Sequence, residues 1–381
     1  MSESVDIAVI GAGPAGSLAA YECARAGLRT VLLEKRGPMR DKLCGGAVSQ
    51  RGLAGLDFEI PPELIERECF ALRTRYGREG CLVEQPQRMA VLVSRDRFDD
   101  FLVRQAGGAG AEVRYGQPAR ELSVQADGVR IATPGGVVRA RAAVIADGAN
   151  SRLAELVRPR WSRRDLAACV AVDIPADAAT IDRVCGGALV IDYGITPSGY
   201  LWLFPKRDHI SAGLGQLCGD GREMKRTFLA YLRDQGLEAA GPLRGAVIPL
   251  KAATDRIVGE RLLLAGDAGG FVDAFTGEGI HFAMRSGQLA GRTLAEAAAG
   301  GDFSAAALDI YRRRCEEDFL ESLHSAKRFT TLMYRFPRLL FRPAVRHAEV
   351  VAHYIRSMDQ PNGYSSFGWW FARRLPRLWL T

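Results

Sequence analysis

Several features that would assign a compartment or a chemistry are missing from this chain. The eight cysteines form no CxxC pair, and no signal peptide precedes the first apolar run, so we expect reduced thiols and a cytoplasmic protein. The apolar runs fall well short of the roughly 18 residues that span a bilayer. His347 and His353 are separated by about 240° of helical rotation, so their rings point to different faces and no metal site is predicted.

The composition excludes a disordered chain. Hydrophobic residues make up 48% and charged residues 25% of the 381 positions, which is typical of a globular protein with two or three domains. The net charge of +7 is unevenly placed, because the chain from Lys327 onward has ten lysines and arginines against two acids, Glu349 and Asp359. The rest of the chain is almost neutral.

The first 34 residues predict a nucleotide-binding unit. Residues 5–10 are an apolar run of strand length, as expected for a buried parallel strand. Gly11 allows a tight turn, Gly13 allows close approach to a pyrophosphate, and Gly16 lets the following helix pack near the strand. Glu34 ends the second apolar run and can accept hydrogen bonds from a ribose. No second unit of this kind occurs, which argues against a separate nicotinamide domain.

Apolar patterning predicts the remaining elements. Helices are expected from Arg95 to about Gly107 and over 279–298, the second with Ile280, Ala283, Met284 and Leu289 facing inward. Buried strands are expected at 142–146 and 261–265, and one small antiparallel layer at 111–115, 121–125, 129–133 and 137–141. Residues 166–249 predict a second sheet, and residues from 303 onward predict helices interrupted by prolines at 337, 343, 361 and 376.

Four motifs occur in an order shared with known flavoproteins: the glycine turn, Arg95-x-x-Phe98-Asp99, Asp147-Gly148 and Gly266-Asp267. Their spacing resembles that of FAD proteins with the para-hydroxybenzoate hydroxylase fold. The resemblance implies that Asp267 contacts the ribityl or pyrophosphate part of FAD. It also implies that the helix after Thr276-Gly277-Glu278-Gly279 points its N-terminus at the flavin pyrimidine ring, where it would stabilise the negative charge of a reduced flavin.

Two further motifs resemble the geranylgeranyl reductase family of flavoproteins. Tyr200-Leu201-Trp202-Leu203-Phe204-Pro205, followed after seven residues by Gly213-Leu214-Gly215, is similar to that family's YxWxFP…GxG signature. Cys44-Gly45-Gly46 falls where the family often carries a cysteine beside the flavin. Ala274 departs from the family pattern, since a proline often precedes the Phe-x-Gly-x-Gly turn.

The aromatic motif has a physical interpretation of its own. Tyr200, Trp202 and Phe204 alternate along a strand, so their rings share one side and form an aromatic wall suited to a long apolar substrate. The alternative is that they only fill a core. A buried Tyr200 hydroxyl needs a partner, and Gly213 and Gly215 leave room for close approach on a neighbouring strand, which together favour the wall.

Cys44 is the predicted proton donor or redox-linked residue. Arg40 and Lys42 precede it and two glycines follow it, a setting that favours thiolate chemistry and brings the sulfur near a ring. The alternative is that Cys44 only shapes the flavin pocket, as an inert small hydrophobic residue.

The predicted fold is α/β, with a Rossmann-type FAD-binding domain, a mixed-sheet substrate domain and a C-terminal helical region. The expected ranges are 1–60, 90–160 and 256–305 for the first, 61–89 and 161–255 for the second, and 306–381 for the third. The catalytic candidates are Cys44, Tyr200 and Trp202. The substrate-pocket candidates are Tyr200, Trp202, Phe204, Pro205, Gly213 and Gly215. The cofactor candidates are Gly11, Gly13, Ala15, Gly16, Glu34, Lys35, Cys44, Gly45, Gly46, Arg95, Asp147, Gly148, Gly266, Asp267, Gly277, Gly279 and Ile280.

The function implied by the resemblance is FAD-dependent saturation of carbon–carbon double bonds in a polyprenyl lipid, diphosphate or quinone chain. FAD is expected to be non-covalent, with electrons from NAD(P)H or a ferredoxin-type carrier. The alternatives are a flavin monooxygenase or halogenase acting on a small aromatic or carrier-bound substrate, and an electron-transfer or scaffold flavoprotein on membranes. Halogenases carry Trp in place of Tyr200 and Ile in place of Phe204, which counts against them.

The C-terminal segment combines aromatic rings with arginines. Such a composition is typical of a helix in the membrane interface, so peripheral membrane contact through 364–381 is expected. Packing on the domain or a dimer contact is the alternative, and no nucleic-acid partner is expected. The residues are Tyr364, Phe367, Trp369, Trp370, Phe371 and Trp379, with Arg373, Arg374 and Arg377.

Overall fold

The opening apolar run forms the centre of the largest sheet. The computed structural model describes residues 3–250, 254–358, 360 and 363–380, so the predicted proline interruption at Pro361 lies outside the described residues. The first strand, β1, spans Glu3–Ile10 and pairs in parallel with a strand on each side. Ile7, Ala8 and Val9 are completely buried, as an uninterrupted apolar run requires when both faces of a sheet are covered.

Eighteen strands are present in the described part of the chain. They are β1 Glu3–Ile10, β2 Thr30–Leu33, β3 Ala47–Ser49, β4 Ile65–Cys69, β5 Ala71–Tyr76, β6 Glu79–Glu84, β7 Ala90–Val93, β8 Glu112–Arg114, β9 Glu121–Gln125, β10 Gly128–Thr133, β11 Gly136–Ile145, β12 Ala167–Pro175, β13 Leu189–Tyr193, β14 Gly199–Pro205, β15 His209–Leu217, β16 Arg244–Ile248, β17 Val258–Gly259 and β18 Leu262–Leu264.

Eleven α-helices accompany these strands within the described residues. They are α1 Pro14–Arg25, α2 Gln50–Ala54, α3 Arg95–Gly108, α4 Ala178–Cys185, α5 Gly221–Asp234, α6 Ile280–Gly300, α7 Ala305–Cys315, α8 Glu321–Arg335, α9 Pro337–Arg346, α10 Ala348–Met358 and α11 Gly363–Leu380. Short 3-10 turns lie at Pro62–Leu64, Leu153–Leu156 and Gly266–Gly269, and a π-helical turn at Glu316–Leu320 joins α7 to α8.

The largest sheet has the order β17-β18-β11-β1-β2-β8, with β10 and β9 added beside the first half of β11. The prediction of one antiparallel layer was wrong for residues 111–115. There β8 pairs in parallel with β2, because the chain returns to the sheet edge through helix α3. The segments predicted at 137–141 and 142–146 are one continuous strand, β11, whose first half pairs with β10 and whose second half pairs with β18.

A second sheet of seven strands has the order β16-β12-β15-β14-β13-β5-β6, and three more strands pair as β3-β7-β4. The seven-stranded sheet is antiparallel except where β13 runs parallel to β5. Its strands come from 71–84 and 167–248, inside the ranges predicted for the substrate domain. Strand β4 also lies inside those ranges, but it pairs with β7 and not with this sheet. The domain boundaries themselves stay a prediction.

Helix α6 follows the sequence pattern closely. Ile280, Ala283, Met284 and Leu289 are all buried, which confirms the predicted inward face. The helix packs against α1, and a Cβ added at Gly287 would lie 2.1 Å from the carbonyl oxygen of Ala15. This close packing fixes the N-terminus of α6 beside the glycine turn.

The C-terminal region is helical, as predicted, but its prolines do not all interrupt helices. Pro337 begins α9, where a missing N–H costs nothing, whereas Pro343 and Pro376 lie inside α9 and α11. Tyr364, Phe367 and Phe371 of α11 are buried in an aromatic core shared with α8, α9 and the loop before α6. Among the residues that the structure describes, none of the helices combines the length and hydropathy needed to cross a bilayer.

Candidate active site

The glycine turn between β1 and α1 is closed by backbone contacts that only glycine permits. Gly11 has φ +97°, and a Cβ there would lie 2.6 Å from the carbonyl oxygen of Ala146. A Cβ at Gly16 would lie 1.8 Å from the carbonyl oxygen of Gly11. The turn therefore brings α1 close to the end of β1, with Ala15 buried in the first turn of the helix.

Glu34 is held by two backbone amides at the end of β2. Its Oε2 accepts a hydrogen bond of 2.9 Å from Ala12 N, and its Oε1 accepts one of 2.9 Å from Arg36 N. The carboxylate is buried beside the glycine turn. This is the placement that the sequence predicts for a ribose-binding acid.

Asp147 lies at the carboxyl end of β11, against the same turn. A Cβ at Gly11 would lie 2.8 Å from the Asp147 Cα, and Gly148 adopts a φ of +94°. Asp147 Oδ1 is buried and has no hydrogen-bond partner among the described residues. Burial raises the pKa of this carboxyl above its ordinary value. Buried polar atoms normally have a hydrogen-bond partner. The unpartnered Asp147 oxygen beside the glycine turn therefore fits a site where a polar cofactor binds.

Gly266-Asp267 lies at the N-terminus of α6. Gly266 N donates a 3.0 Å hydrogen bond to Ser286 Oγ, which ties the loop to the helix. Asp267 Oδ1 lies 3.6 Å from a Cβ added at Gly279, the residue before Ile280. The structure thus brings together the helix N-terminus and the aspartate that the flavoprotein resemblance singled out.

The aromatic strand β14 faces the Cys44-Gly45-Gly46 loop. The Tyr200 and Trp202 rings have centroids 6.4 Å apart, so they share a side as predicted. A Cβ added at Gly45 would lie 2.7 Å from the Phe204 ring and 3.2 Å from Trp202 Nε1. The loop and the wall therefore pack directly against each other. Trp202 Nε1 is buried and unpartnered within the described part of the chain.

The two glycines of β15 have different neighbours. A Cβ at Gly213 would lie 2.0 Å from the Trp202 ring, so the indole itself occupies the room that this glycine leaves. A Cβ at Gly215 would make an ordinary 3.5 Å contact with Cys169 Sγ. Pro205, the last residue of β14, is buried.

One backbone N–H donates to the Cys44 sulfur, since Gly46 N lies 3.4 Å from Sγ. Arg95 lies at the start of α3 and is buried. Arg95 is held in turn by Asp99, with Nε to Oδ1 at 2.8 Å and Nη2 to Oδ2 at 2.9 Å. Although burial opposes the charge of Arg95, the Asp99 carboxylate and the Cys44 sulfur raise the pKa of the guanidinium. Arg95 is thus a buried cation whose charge is balanced by Asp99.

Arg40 and Lys42, the two basic residues that precede Cys44, each pair with an acid, and their expected influence on Cys44 stays a prediction. Arg40 Nη2 donates to Ala12 O at 3.1 Å and to Asp99 Oδ2 at 2.6 Å. Lys42 Nζ lies 3.8 Å from Asp267 Oδ2. Both cations lie toward the predicted nucleotide side of the loop, because the acids that pair with them are there.

Comparisons with known proteins agree with this geometry. A family model described as an FAD binding domain matches residues 4–212. A digeranylgeranylglycerophospholipid reductase from Methanocella arvoryzae is 31% identical, over 95% of this chain and 94% of the relative. The chain belongs to the geranylgeranyl reductase family of FAD-dependent oxidoreductases.

Solved structures of this flavoprotein fold include reductase-like and halogenating proteins. A geranylgeranyl bacteriochlorophyll reductase-like protein from Thermoplasma acidophilum has a TM-score of 0.84 at 22% identity, over 99% of this chain and 98% of that one. The flavin-dependent brominase Bmp2 has a TM-score of 0.71 at 18% identity, over 93% of each chain. These two likenesses show the fold, and they confirm the predicted α/β architecture.

The residues of this flavoprotein fit FAD. Glu34, the glycine turn, Asp147 and the Asp267 loop border one cradle at the carboxyl ends of the parallel strands, where dinucleotides bind in such sheets. The Gly277-Glu278-Gly279 turn lies at the N-terminus of α6, and Gly277 adopts a φ of +70°. The contact of each candidate residue with FAD stays a prediction, including that of Lys35, which is exposed.

Sequence reasoning missed Lys206, which follows the aromatic strand. Its side chain is only 3% exposed, and Nζ donates a 2.6 Å hydrogen bond to the carbonyl oxygen of Val93. A Cβ at Gly46 would lie 2.7 Å from that Nζ. Burial lowers the pKa of Lys206 to about 8. The sequence feature that could have singled out Lys206 is its position directly after a buried strand.

Asp273 was also missed, although it joins the flavoprotein's C-terminal region to the site. Its Oδ1 accepts from Phe275 N at 2.8 Å and Thr276 N at 2.9 Å. Tyr364 of α11 donates to the same carboxylate at 2.7 Å to Oδ2. Burial raises the pKa of Asp273. The inward face of α11 thus packs on the protein, while Trp369 is 71% exposed.

Proposed function

We propose that this protein uses FAD to saturate carbon–carbon double bonds of a polyprenyl chain carried on a lipid, a diphosphate or a quinone. The observation that carries the proposal is the direct packing of the Cys44-Gly45-Gly46 loop against Trp202 and Phe204. It puts a thiol beside an aromatic wall and close to the predicted flavin turn. The Methanocella arvoryzae relative, named as a digeranylgeranylglycerophospholipid reductase, supports a geranylgeranyl lipid as the substrate class.

Reduced FAD, when bound, supplies the hydride. The residues of the chain then have three tasks. Cys44 gives a proton to the second alkene carbon. The π faces of Tyr200, Trp202 and Phe204 stabilise the cationic character that develops on an unpolarised alkene. The N-terminus of α6 stabilises negative charge on the cofactor side of the site.

The electron donor is part of the same proposal. The sequence contains one strand–GxGxxG–helix unit, which the FAD site uses. Electrons therefore come from a bimolecular encounter with NAD(P)H or from a ferredoxin-type carrier. Mixing oxidised protein anaerobically with NADPH, NADH or reduced ferredoxin and following flavin bleaching distinguishes these donors, and bleaching by none of them would contradict both.

A flavin monooxygenase or halogenase is the second candidate, since Bmp2 shares the fold. Tyr200 and Phe204 count against it, because halogenases with a similar motif carry Trp and Ile there. An electron-transfer flavoprotein is the third candidate. It would exchange electrons rapidly with a quinone and turn over no isoprenoid.

We also propose that the C-terminal region contacts a lipid surface. Trp379 Nε1 donates to Leu339 O at 3.1 Å, which joins the end of α11 to α9. Exposed apolar side chains lie on α8, α9 and α11 and in the turn between α8 and α9, and Arg342 stacks on Trp379 while Arg335 stacks on Phe336. Such a surface suits anionic lipid. The exposed apolar residues are Leu332, Phe336, Leu339, Trp369, Trp379 and Leu380.

Co-sedimentation with phosphatidylglycerol vesicles tests the lipid contact. Replacing Leu339 and Trp369 by serine should reduce vesicle binding several-fold, whereas the control Leu229→Ser, at an exposed apolar residue of α5, should not. Equal binding by both variants would contradict the contact.

Mass spectrometry of lipids and quinones from cells with and without the protein tests the proposed activity. We expect prenyl chains heavier by one H₂ per reduced double bond when the protein is present. Unchanged prenyl chains together with a hydroxylated or halogenated product would favour the second candidate instead.

A further inference from the structure

An ion pair beside the start of α6 joins three parts of the chain. Arg51 of α2 donates through Nη2 to Glu278 Oε2 at 2.8 Å, and Glu278 lies two residues before the first residue of α6, Ile280. Arg51 Nη1 donates to the carbonyl oxygen of Met358 at 3.2 Å. Because Met358 is the last residue of α10, the guanidinium bridges a carboxylate and the negative end of a helix.

The surroundings of Arg51 hold its side chain against α6. Its Cζ lies 5.1 Å from the centroid of the Phe282 ring, in the first turn of that helix. Gln288 of α6 donates a 2.7 Å hydrogen bond to the carbonyl oxygen of Gly55, the residue that follows α2. The two helices are therefore joined on both sides of the ion pair, and the positive charge of Arg51 stays beside the start of α6.

The turn that carries Glu278 borders the predicted FAD cradle. A Cβ added at the next residue, Gly279, would lie 3.6 Å from Oδ1 of Asp267, whose loop forms one side of that cradle. The helix dipole favours negative charge on a ligand at this end of α6. A carboxylate at the same place acts against that effect unless a cation balances it, and Arg51 is the cation that contacts Glu278.

We propose that Arg51 is a positioning residue that holds and neutralises Glu278, and that this ion pair sets the reduction potential of the bound flavin. The inference rests on the proposed function for the position of the flavin at the N-terminus of α6. Reduction adds negative charge to the flavin, and charges of the protein beside the ring tune that step. Glu278 without its partner opposes the added charge, whereas Arg51 without its partner favours it.

Other charged groups near this turn stay unchanged in the test. Lys42 Nζ lies 3.8 Å from Asp267 Oδ2, on the cradle side of the turn. The Asp273 carboxylate accepts a hydrogen bond from Tyr364 on the side of the C-terminal helices. Both acids have the same partners in every variant, so their effects on the potential cancel when the variants are compared.

The experiment measures the two-electron midpoint potential of the FAD-loaded protein, by anaerobic reduction together with a dye of known potential. Arg51→Met should make reduction about tenfold less favourable, which lowers the potential by about 30 mV. Glu278→Gln should make reduction about tenfold more favourable and raise the potential by about 30 mV. The double variant has neither charge, so its reduction equilibrium should lie within about twofold of the wild type.

Arg314→Met is the matched control. Arg314 is 29% exposed, compared with 30% for Arg51, and its Nη2 also lies 2.8 Å from a glutamate, Glu296. Glu296 belongs to the last turns of α6, far from the end that borders the cradle. Solvent screens a charge at that distance, so we expect the control to change the reduction equilibrium by less than about twofold.

Opposite shifts in the two single variants would support the inference, because a loss of packing alone does not reverse its sign with the sign of the charge removed. Shifts in the same direction, or shifts no larger than that of the control, would overturn it. If Arg51→Met does not fold or bind FAD, Glu278→Gln decides alone, and a potential that does not rise overturns the inference. The measurement contains no prenyl substrate, so failure of alkene reduction would contradict the proposed function without altering this result.

Discussion

The Tyr200 hydroxyl donates a hydrogen bond to the carbonyl oxygen of Thr276, which joins strand β14 to the turn before α6. The next residue, Gly277, has space for no side chain, because a Cβ would lie 2.6 Å from the Tyr200 oxygen. The aromatic wall and the predicted flavin turn are thus held together by one contact. Burial raises the pKa of Tyr200 well above its ordinary value, so the hydroxyl keeps its proton.

Removing that hydroxyl should loosen both parts of the site. We expect Tyr200→Phe to lower the free energy of unfolding by about 1 kcal/mol, since the Thr276 carbonyl loses its donor. The turnover number should fall more than tenfold if the wall must stay in register with the turn. Urea unfolding and steady-state kinetics measure the two effects. Unchanged turnover with the expected stability loss would show that the contact is structural only.

Neutralising Asp99 should destabilise the fold strongly. Asp99→Asn leaves the buried Arg95 without its counter-charge and leaves Arg40 with Glu34 at 3.6 Å, so we expect a loss of about 3 kcal/mol. The neighbouring Asp100→Asn is the matched control, because its partner Arg104 is on the surface, and it should cost less than about 1 kcal/mol. Urea unfolding of both variants checks this. Equal losses would contradict a stabilising role for the contacts of Asp99 with Arg40 and Arg95.

Asp147 should show opposite effects on stability and on FAD binding. Burial raises its pKa above the ordinary 3.8, so the folded chain binds the proton more tightly than the unfolded chain does. The contribution of this carboxyl to stability therefore falls as the pH rises from 3.8 through the raised value. Asp147→Asn removes that penalty.

We expect FAD-free Asp147→Asn to resist urea better than the wild type at pH 7, with the advantage shrinking as the pH falls toward 4. The same variant should bind FAD more weakly in a fluorescence titration if the unpartnered oxygen serves the cofactor. A variant that is less stable than the wild type at pH 7 would contradict the role of burial.

Gly45 should not tolerate a side chain. Gly45→Ala puts a methyl group 2.7 Å from the Phe204 ring, so the loop or the ring must move, at a cost of about 1–3 kcal/mol. Gly221→Ala is the control, since a Cβ there has no heavy atom within 4 Å. Thermal unfolding measures the loss of stability. The rate at which iodoacetamide alkylates Cys44 measures the movement of the loop. A Gly45→Ala protein that matches the control would show that the loop is not packed on the wall.

Local patterns predicted much of this fold. The run 5–10, the turn at Gly11 and the inward face of α6 follow from short-range rules, because burial on both faces and close helix packing leave few residue types possible. The placement of 111–115 could not be predicted in this way. Its pairing with β2 depends on the path of α3 across the sheet. The alternation of apolar and polar residues within 111–115 carries no information about that path.

The partners of charged side chains were harder to predict than the motifs. Arg40 is near Cys44 in sequence, yet it pairs with Asp99, which lies 59 positions further along the chain. Lys206 and Asp273 carry no local motif, and their roles appear only when β14, the Cys44 loop and α11 meet. The C-terminal aromatics divide between an inward face at Tyr364 and an exposed Trp369, a split set by tertiary packing.

The most direct test of the account is a single anaerobic reoxidation experiment. Protein reduced with one equivalent of dithionite is mixed, without oxygen, with a geranylgeranyl glycerophospholipid, and the oxidised flavin absorbance and the lipid mass are followed together. We predict that the flavin reoxidises as the lipid gains one H₂ per double bond, and that Cys44→Ala slows this step. A flavin that stays reduced with the lipid, but gives a hydroperoxide spectrum and an oxygenated or halogenated product in air, would contradict the account.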